Sequence, residues 1–234
     1  MKARVLRYVA LVGLLFFSIN SLTAMEAWAA ALGRMPLRTN VVELTRTNCV
    51  PLMLASFQSN AVAKALIFMP GATDEFYFFN RGYAVVTTST PTLLDAVRAL
   101  TNQTLLRVTF RAPFVLMHSA EDPLEPLFTI EDEPTAERLR RKGFVQHAVY
   151  NDRDWDFLLP ILTFHLDTKL LPAANSYESN HFYRHSFAAW NLTGWEALEA
   201  VSMAGKTTFK VQRRKILFEG DVRFREKPPV PKFP

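Results

Sequence analysis

Apolar residues along the chain fall into short runs with two different periods. Tyr83 to Thr88 and Phe187 to Leu192 are rich in β-branched and aromatic residues and predict strands. Each is followed by a segment of helical spacing. In the first, Thr90 is placed to cap, with Pro91 at the first helical position, and Leu93, Leu94, Val97 and Leu100 share one face. In the second, Thr193 and Glu196 have the spacing of a capping box, Leu198, Val201 and Ala204 form the inward stripe, and Gly205 is the stop. After each helix come two short strand candidates that pair most simply as a hairpin. They are Leu106 to Phe110 with Phe114 to Met117, and Thr208 to Arg213 with Lys215 to Glu219. Upstream, Asn40 to Leu44 then Val50 to Lys64, and Phe144 to Tyr150 then Trp155 to His165, predict an earlier strand and helix in each half. Pro160 is expected to kink the last of these helices or end it early.

The recurrence of elements has a counterpart in the residues. Phe78 to Val97 lies over Phe182 to Val201 without a gap at an offset of 104, matching Phe78, Ala84, Leu94, Ala96 and Val97 with Phe182, Ala188, Leu198, Ala200 and Val201. A one-residue slip then pairs Thr104 with Thr207, Val108 with Val211 and Phe114 with Leu217 at 103. The expectation is an α+β fold made of two tandem copies of a small helix-plus-sheet module, βαββαββ-like. Residues 30–118 and 144–221 are the copies, and 119–143, of which Ser119 to Glu137 is rich in Pro, Asp and Glu, is a linker or surface loop.

The ends change the picture of where the protein works. Lys2, Arg4 and Arg7 precede an almost unbroken apolar run from Tyr8 to Ile19, the pattern of a secretory signal peptide. Two small-residue sites follow, Leu22-Thr23-Ala24 and Ala27-Trp28-Ala29. The second is the expected cut, so that residues 1–29 are the signal peptide. A retained membrane anchor is the competing reading, but a spanning helix needs about 20 apolar residues, and Asn20, Ser21 and Glu26 interrupt this one. Membrane contact is expected only if the segment is retained. The location is then periplasmic or secreted. At the other end, 222–234 is a Pro-rich tail whose last residues, Lys227 to Pro234, favour an extended conformation.

Removing residues 1–29 takes away three cations and one carboxylate, so the formal charge falls from +5 to +3. Nucleic acid is not an expected partner for a mildly basic exported chain. Lys206, Lys210, Arg213, Arg214 and Lys215 are expected to line one exposed sheet edge, where cations block sheet-to-sheet pairing. Cys49 has no partner for an intramolecular disulfide and is expected to be a small buried apolar residue.

Thr92 to Met117, TLLDAVRALTNQTLLRVTFRAPFVLM, resembles the second half of the short N-terminal domain of secretins and TonB receptors. In that family a helix of the form T-leu-x-x-ala-leu leads through a turn into a strand hairpin. The second copy, WEALEAVSMAGKTTFKVQRRKILFEG, keeps a glycine at Gly205 and lacks the leading leucines. The resemblance covers about half of each copy. It implies a periplasmic α+β module that works by contacting other proteins and brings no catalytic residues. The chain has no run of alternating strands to build an outer-membrane barrel, which points to a free-standing adaptor.

Residues with chemistry are few. His181 and His185 have metal-chelating spacing only on a helix, and the repeat places them just before a strand, where four residues span about 13 Å. His165 and Asp167 have the types of a base and its orienter, but no nucleophile motif such as G-x-S-x-G is present. Asp152, Asp154 and Asp156 alternate like calcium ligands, yet the sixth loop position is Phe157 and the twelfth Thr163. No metal, cofactor or catalytic residue is therefore assigned. The aromatic run Phe76 to Phe79 is the least ordinary local feature, and Phe76 and Tyr77, which have no aromatic counterpart in the second copy, are the candidate binding residues if exposed, the alternative being burial by the neighbouring copy. Two functions stand open: an exported protein-interaction or adaptor protein with a protein partner, or a periplasmic enzyme or small-ligand binder with a pocket between the copies that uses His165, His181 or His185.

Overall fold

The computed structural model describes residues 25–38, 43–45, 47–69, 83–118, 127–141, 143, 147–172 and 185–220. The candidate residues Phe76, Tyr77 and His181 lie outside them, as do the Pro-rich tail and most of the expected signal peptide. Among the described residues there are six helices and eleven strands, an α+β fold.

The first half begins with a helix, α1 (25–33), followed by β1 (Glu43–Thr45), α2 (Cys49–Ser56), β2 (Ala65–Phe68), β3 (Tyr83–Val85), α3 (Leu93–Gln103), β4 (Arg107–Arg111) and β5 (Phe114–His118). After β6 (Phe128–Ile130), the second half runs α4 (Glu133–Arg141), β7 (His147–Arg153), α5 (Trp155–Leu166), β8 (Lys169–Pro172), β9 (His185–Trp190), α6 (Gly194–Gly205), β10 (Thr207–Gln212) and β11 (Lys215–Gly220). Helix, strand, helix, strand, strand, helix and hairpin thus succeed one another in the same order on both sides of β6. The strand pairings correspond too. β1 with β3 and β7 with β9 are antiparallel, β2 with β5 and β8 with β11 are parallel, and the hairpins β4–β5 and β10–β11 close each half.

Local chemistry explains most boundaries. Thr92, not Thr90, caps α3, because Asp95 three residues on returns a carboxylate oxygen to the Thr92 amide at 2.9 Å. Thr193 and Glu196 make the same reciprocal pair at α6. These boxes are 101 residues apart, so through the helix the halves correspond one turn away from the offset of 104 that the apolar matches give. At 101, buried Leu93, Ala96, Val97, Ala99 and Leu100 lie over buried Gly194, Ala197, Leu198, Ala200 and Val201. An ungapped comparison misses this because β3 and α3 are joined by a longer segment than β9 and α6.

Three expectations change. α2 stops at Ser56 rather than Lys64, and the Asn60 side chain instead turns the chain by accepting from the amides of Val62 and Ala63, both at 2.8 Å. Pro160 does not end α5, which runs unbroken from Trp155 to Leu166 with the proline on its exposed side. Residues 128–130 and 133–141, read as part of a loop, form β6 and α4. Asp132 accepts from the Thr135 amide at 3.1 Å at the start of α4.

Five strands, in the order β4-β5-β2-β9-β7, make a central sheet to which both halves contribute through the antiparallel β2–β9 pair. Both its faces are covered, which is why β2, β5 and most of β9 read as continuous apolar runs. Leu66, Phe68, Val115, Met117 and Ala188 join residues of α1, α2 and α3 in one core. Ala65, Ile67, Phe114, Leu116, Phe187 and Ala189 face α4, α5, α6 and the four-stranded sheet β6-β10-β11-β8 in the other. The halves interlock: α2 packs over β7 and β9, and α6 packs over β2. Lys64, just before β2, reaches both carboxylate oxygens of Glu196 at 3.0 and 3.1 Å across this junction.

Candidate interaction surface

α5 carries apolar residues on two opposite faces. Trp155, Leu158, Leu159, Leu162 and Leu166 are buried in the second core. Opposite them, Phe157, Pro160, Ile161 and Phe164 follow the i, i+3, i+4, i+7 spacing of one helix face. Phe164 is 82% exposed and Phe157 42%, while Pro160 is exposed and Ile161 half-buried. A second apolar stripe therefore faces solvent. Singly exposed large apolar residues are ordinary, but two exposed phenylalanines flanking an exposed proline and a half-buried isoleucine on one helix face are not.

The stripe is anchored at its start. Asp154 caps α5, accepting from the Phe157 amide at 3.0 Å. The guanidinium carbon of Arg153 sits 4.7 Å from the centre of the Phe157 ring, and Tyr150 meets that ring edge-on at 6.2 Å. Tyr150 and Arg153 belong to β7, which among the described residues is an outer strand of the central sheet, so the stripe lies beside that strand. The strand is irregular. The β7–β9 register shifts between Tyr150 and Arg153, Asp152 takes a left-handed φ of 55°, and its amide donates to Ser186 Oγ at 3.0 Å. Only the first four residues of β7 are regular, and among them Val149 is exposed on the other face.

The acidic triplet thus has structural roles: Asp152 in the bulge, Asp154 at the cap, and Asp156 in the first turn, where the helix dipole favours a carboxylate. Among the described residues no three His, Cys, Asp or Glu side chains gather as a metal site.

The structure does not bring His165 and His185 together. His185 begins β9, fully buried, with Nδ1 at 3.1 Å from the Arg153 carbonyl. A carbonyl only accepts, so Nδ1 carries the proton and Nε2 is a bare lone pair, packed against Gly205 with no hydrogen-bond partner. Burial holds its pKa down to about 4, against smaller upward pulls from the Arg153 carbonyl and Asp154. Trp155 meets the ring edge-on at 4.5 Å. His165 is ten residues further along α5, about 15 Å by helical rise, on the exposed side against Phe164. Asp167 terminates α5 in a left-handed conformation and pairs with Arg138 at 3.8 Å.

Gly205 is needed for a reason the sequence does not carry. The left-handed cap of α6 is Lys206, whereas a Cβ on Gly205 would stand 2.3 Å from His185 Nε2. The cationic residues also differ from expectation. β10 lies inside its sheet between β6 and β11, so Lys210 is not on an edge and pairs instead with Glu219 at 2.9 Å; Arg213 and Arg214 form the hairpin turn. Cys49 is buried, as its isolation predicts, and desolvation pushes its thiol up to about 12, which removes it from nucleophilic chemistry.

The stripe on α5 was missed because Phe157, Pro160 and Phe164 sit within a segment apolar on two opposite faces, and periodicity cannot choose its inner side. No helix among the described residues is long and apolar enough to cross a membrane. The chain matches no protein-family model, no curated protein and no solved structure.

Proposed function

We propose that this is an exported, periplasmic protein that acts by contact with another protein, built from two copies of one α+β unit. The observation that carries the contact reading is the solvent-facing stripe Phe157, Pro160, Ile161 and Phe164. Its spacing suits a partner with an apolar groove that takes one helix face, recognised through anchors at i, i+3, i+4 and i+7. Export rests on the sequence of the first 24 residues, and duplication is supported by the matching element order, strand pairings and capping boxes. The resemblance to the secretin and TonB-receptor short domain agrees with a protein-binding role.

The enzyme or ligand-binder reading has less support. Of its three histidines, His185 is sealed in the core, His165 is on the outer side of α5, and His181 lies outside the described residues.

A photo-crosslinking amino acid at position 161, introduced in cells, tests the contact. The expected outcome is one discrete adduct, absent when the probe is at exposed Arg98 on α3 and lost when Phe164→Asp is added. An adduct that forms equally from position 98, or that survives Phe164→Asp, sinks the assignment of this surface.

A further inference from the structure

We infer that the exported chain is cut after Ala24 rather than Ala29, so that the mature protein begins at Met25; this rests on the export reading above. Ala27-Trp28-Ala29 has the better small-residue pattern, but those three residues are inside α1. Trp28 is 6% exposed and stacks on Phe110 with ring centres 5.2 Å apart. It shares a core with Leu32, Met35, Leu66 and Val115. The end of α1 is tied to the start of α3: the Leu93 amide donates to the Met35 carbonyl at 2.8 Å, and the Leu37 amide to that of Pro91 at 2.9 Å.

The second half shows what this helix is. α4 occupies the same place in the element order, has the same nine-residue length, and buries Thr135, Ala136 and Leu139. It is followed by a bridge from Gly143 to Thr193, the cap of α6, as α1 is followed by a bridge from Pro36 to Thr92, the cap of α3. A cut after Ala29 would leave only residues 30–33 of α1, too few to close one i to i−4 hydrogen bond. The first unit would then lack an element that the second keeps whole.

A cut after Ala24 leaves α1 and every described core residue in place. Met25, Glu26 and Ala27 are exposed, so a new amino terminus there meets water. Ala24 puts a small side chain directly before the cut, and it stands five residues past the apolar run that ends at Ile19, against ten for Ala29. Processing acts on the chain before it folds, so the fold constrains the product rather than the accessibility of the bond.

The test is to express the full chain with its own leader, separate periplasm from cytoplasm, and read the product by intact mass and amino-terminal sequencing. A periplasmic chain starting at Met25 is expected; one starting at Ala30, or a periplasmic chain still carrying its leader, overturns the inference while leaving export intact. A full-length chain confined to the cytoplasm overturns the export reading and the cut with it. Independently of export, purified 25–234 and 30–234 are compared by thermal unfolding. The shorter chain, and Trp28→Ala in the longer one, should each melt roughly 10 °C lower or fail to fold. Equal melting temperatures would refute the structural role of α1.

Discussion

Gly205→Ala is the substitution whose sign the structure sets against the general rule. In a helix interior, glycine to alanine stabilises by about 1 kcal/mol, and Gly205 is the last residue of α6 with no positive φ to forbid a side chain. Yet the new Cβ would stand 2.3 Å from His185 Nε2 and 3.2 Å from both ring carbons beside it. The ring cannot easily retreat, because it is wholly buried, tied through Nδ1 to the Arg153 carbonyl and abutted by Trp155. Overpacking of this kind costs about 1–3 kcal/mol, so after the gain of about 1 kcal/mol the net expectation is a loss of up to about 2 kcal/mol. Urea unfolding followed by tryptophan fluorescence measures it, with Trp155 as a neighbouring reporter. The decisive comparison is a double-mutant cycle with His185→Ala, in which Gly205→Ala should become neutral or stabilising, a coupling of about 2 kcal/mol. If Gly205→Ala costs the same in both backgrounds, or raises the stability of the parent protein, the contact does not constrain the helix.

The same histidine sets a pH dependence. Its folded-state pKa, about 4, lies below its ordinary 6.5, so the unfolded chain binds more protons between those values. The contribution is complete above pH 6.5 and is lost as pH falls towards 4, about 3 kcal/mol in all; His185→Leu should flatten that part of a stability-against-pH curve. Thr92→Ala and Thr193→Ala each remove a reciprocal cap and should cost about 1 kcal/mol in urea unfolding. The two losses should add, since α3 and α6 lie on opposite faces of the central sheet. Phe164→Asp should shift stability by less than about 0.5 kcal/mol, because the side chain is almost fully in water; a larger loss would mean that the stripe is packed and not presented.

Elements with strong local signals were legible in the sequence. The capping box at Thr193 and Glu196, both hairpins, β9 and the helix from Trp155 all form within two residues of their expected positions, whereas β3 ends three residues earlier and β7 three residues later than expected. What was not legible depends on contacts between distant parts of the chain. β6 and β8 are three and four residues long and exist because β10 and β11 offer them edges. α4 is strongly polar apart from Ala136 and Leu139, so it falls within the linker or surface loop expected over 119–143. Of the candidate residues, Phe76, Tyr77 and His181 fall outside the described residues, and His165 and His185 are placed apart by the length of α5.

The hardest feature to read in advance is the way the halves share a sheet. Two halves with the same order of elements invite the picture of two beads on a linker, each closing its own core. Here β2 pairs with β9 instead, and each half lends a helix to the other's strands. Lys64 illustrates the consequence: its carbonyl accepts from the Trp190 amide at 2.8 Å while its ammonium group meets Glu196, the residue that closes the cap of α6. A change at the start of β2 is therefore felt at the start of a helix in the other half. Because both faces of the shared β2–β9 pair are buried, neither half can offer that pair to a partner without disturbing the other. The contact proposed above therefore has to use the periphery, and α5, which flanks β7 and carries Phe157 and Phe164 on its outer face, is the peripheral element proposed for it.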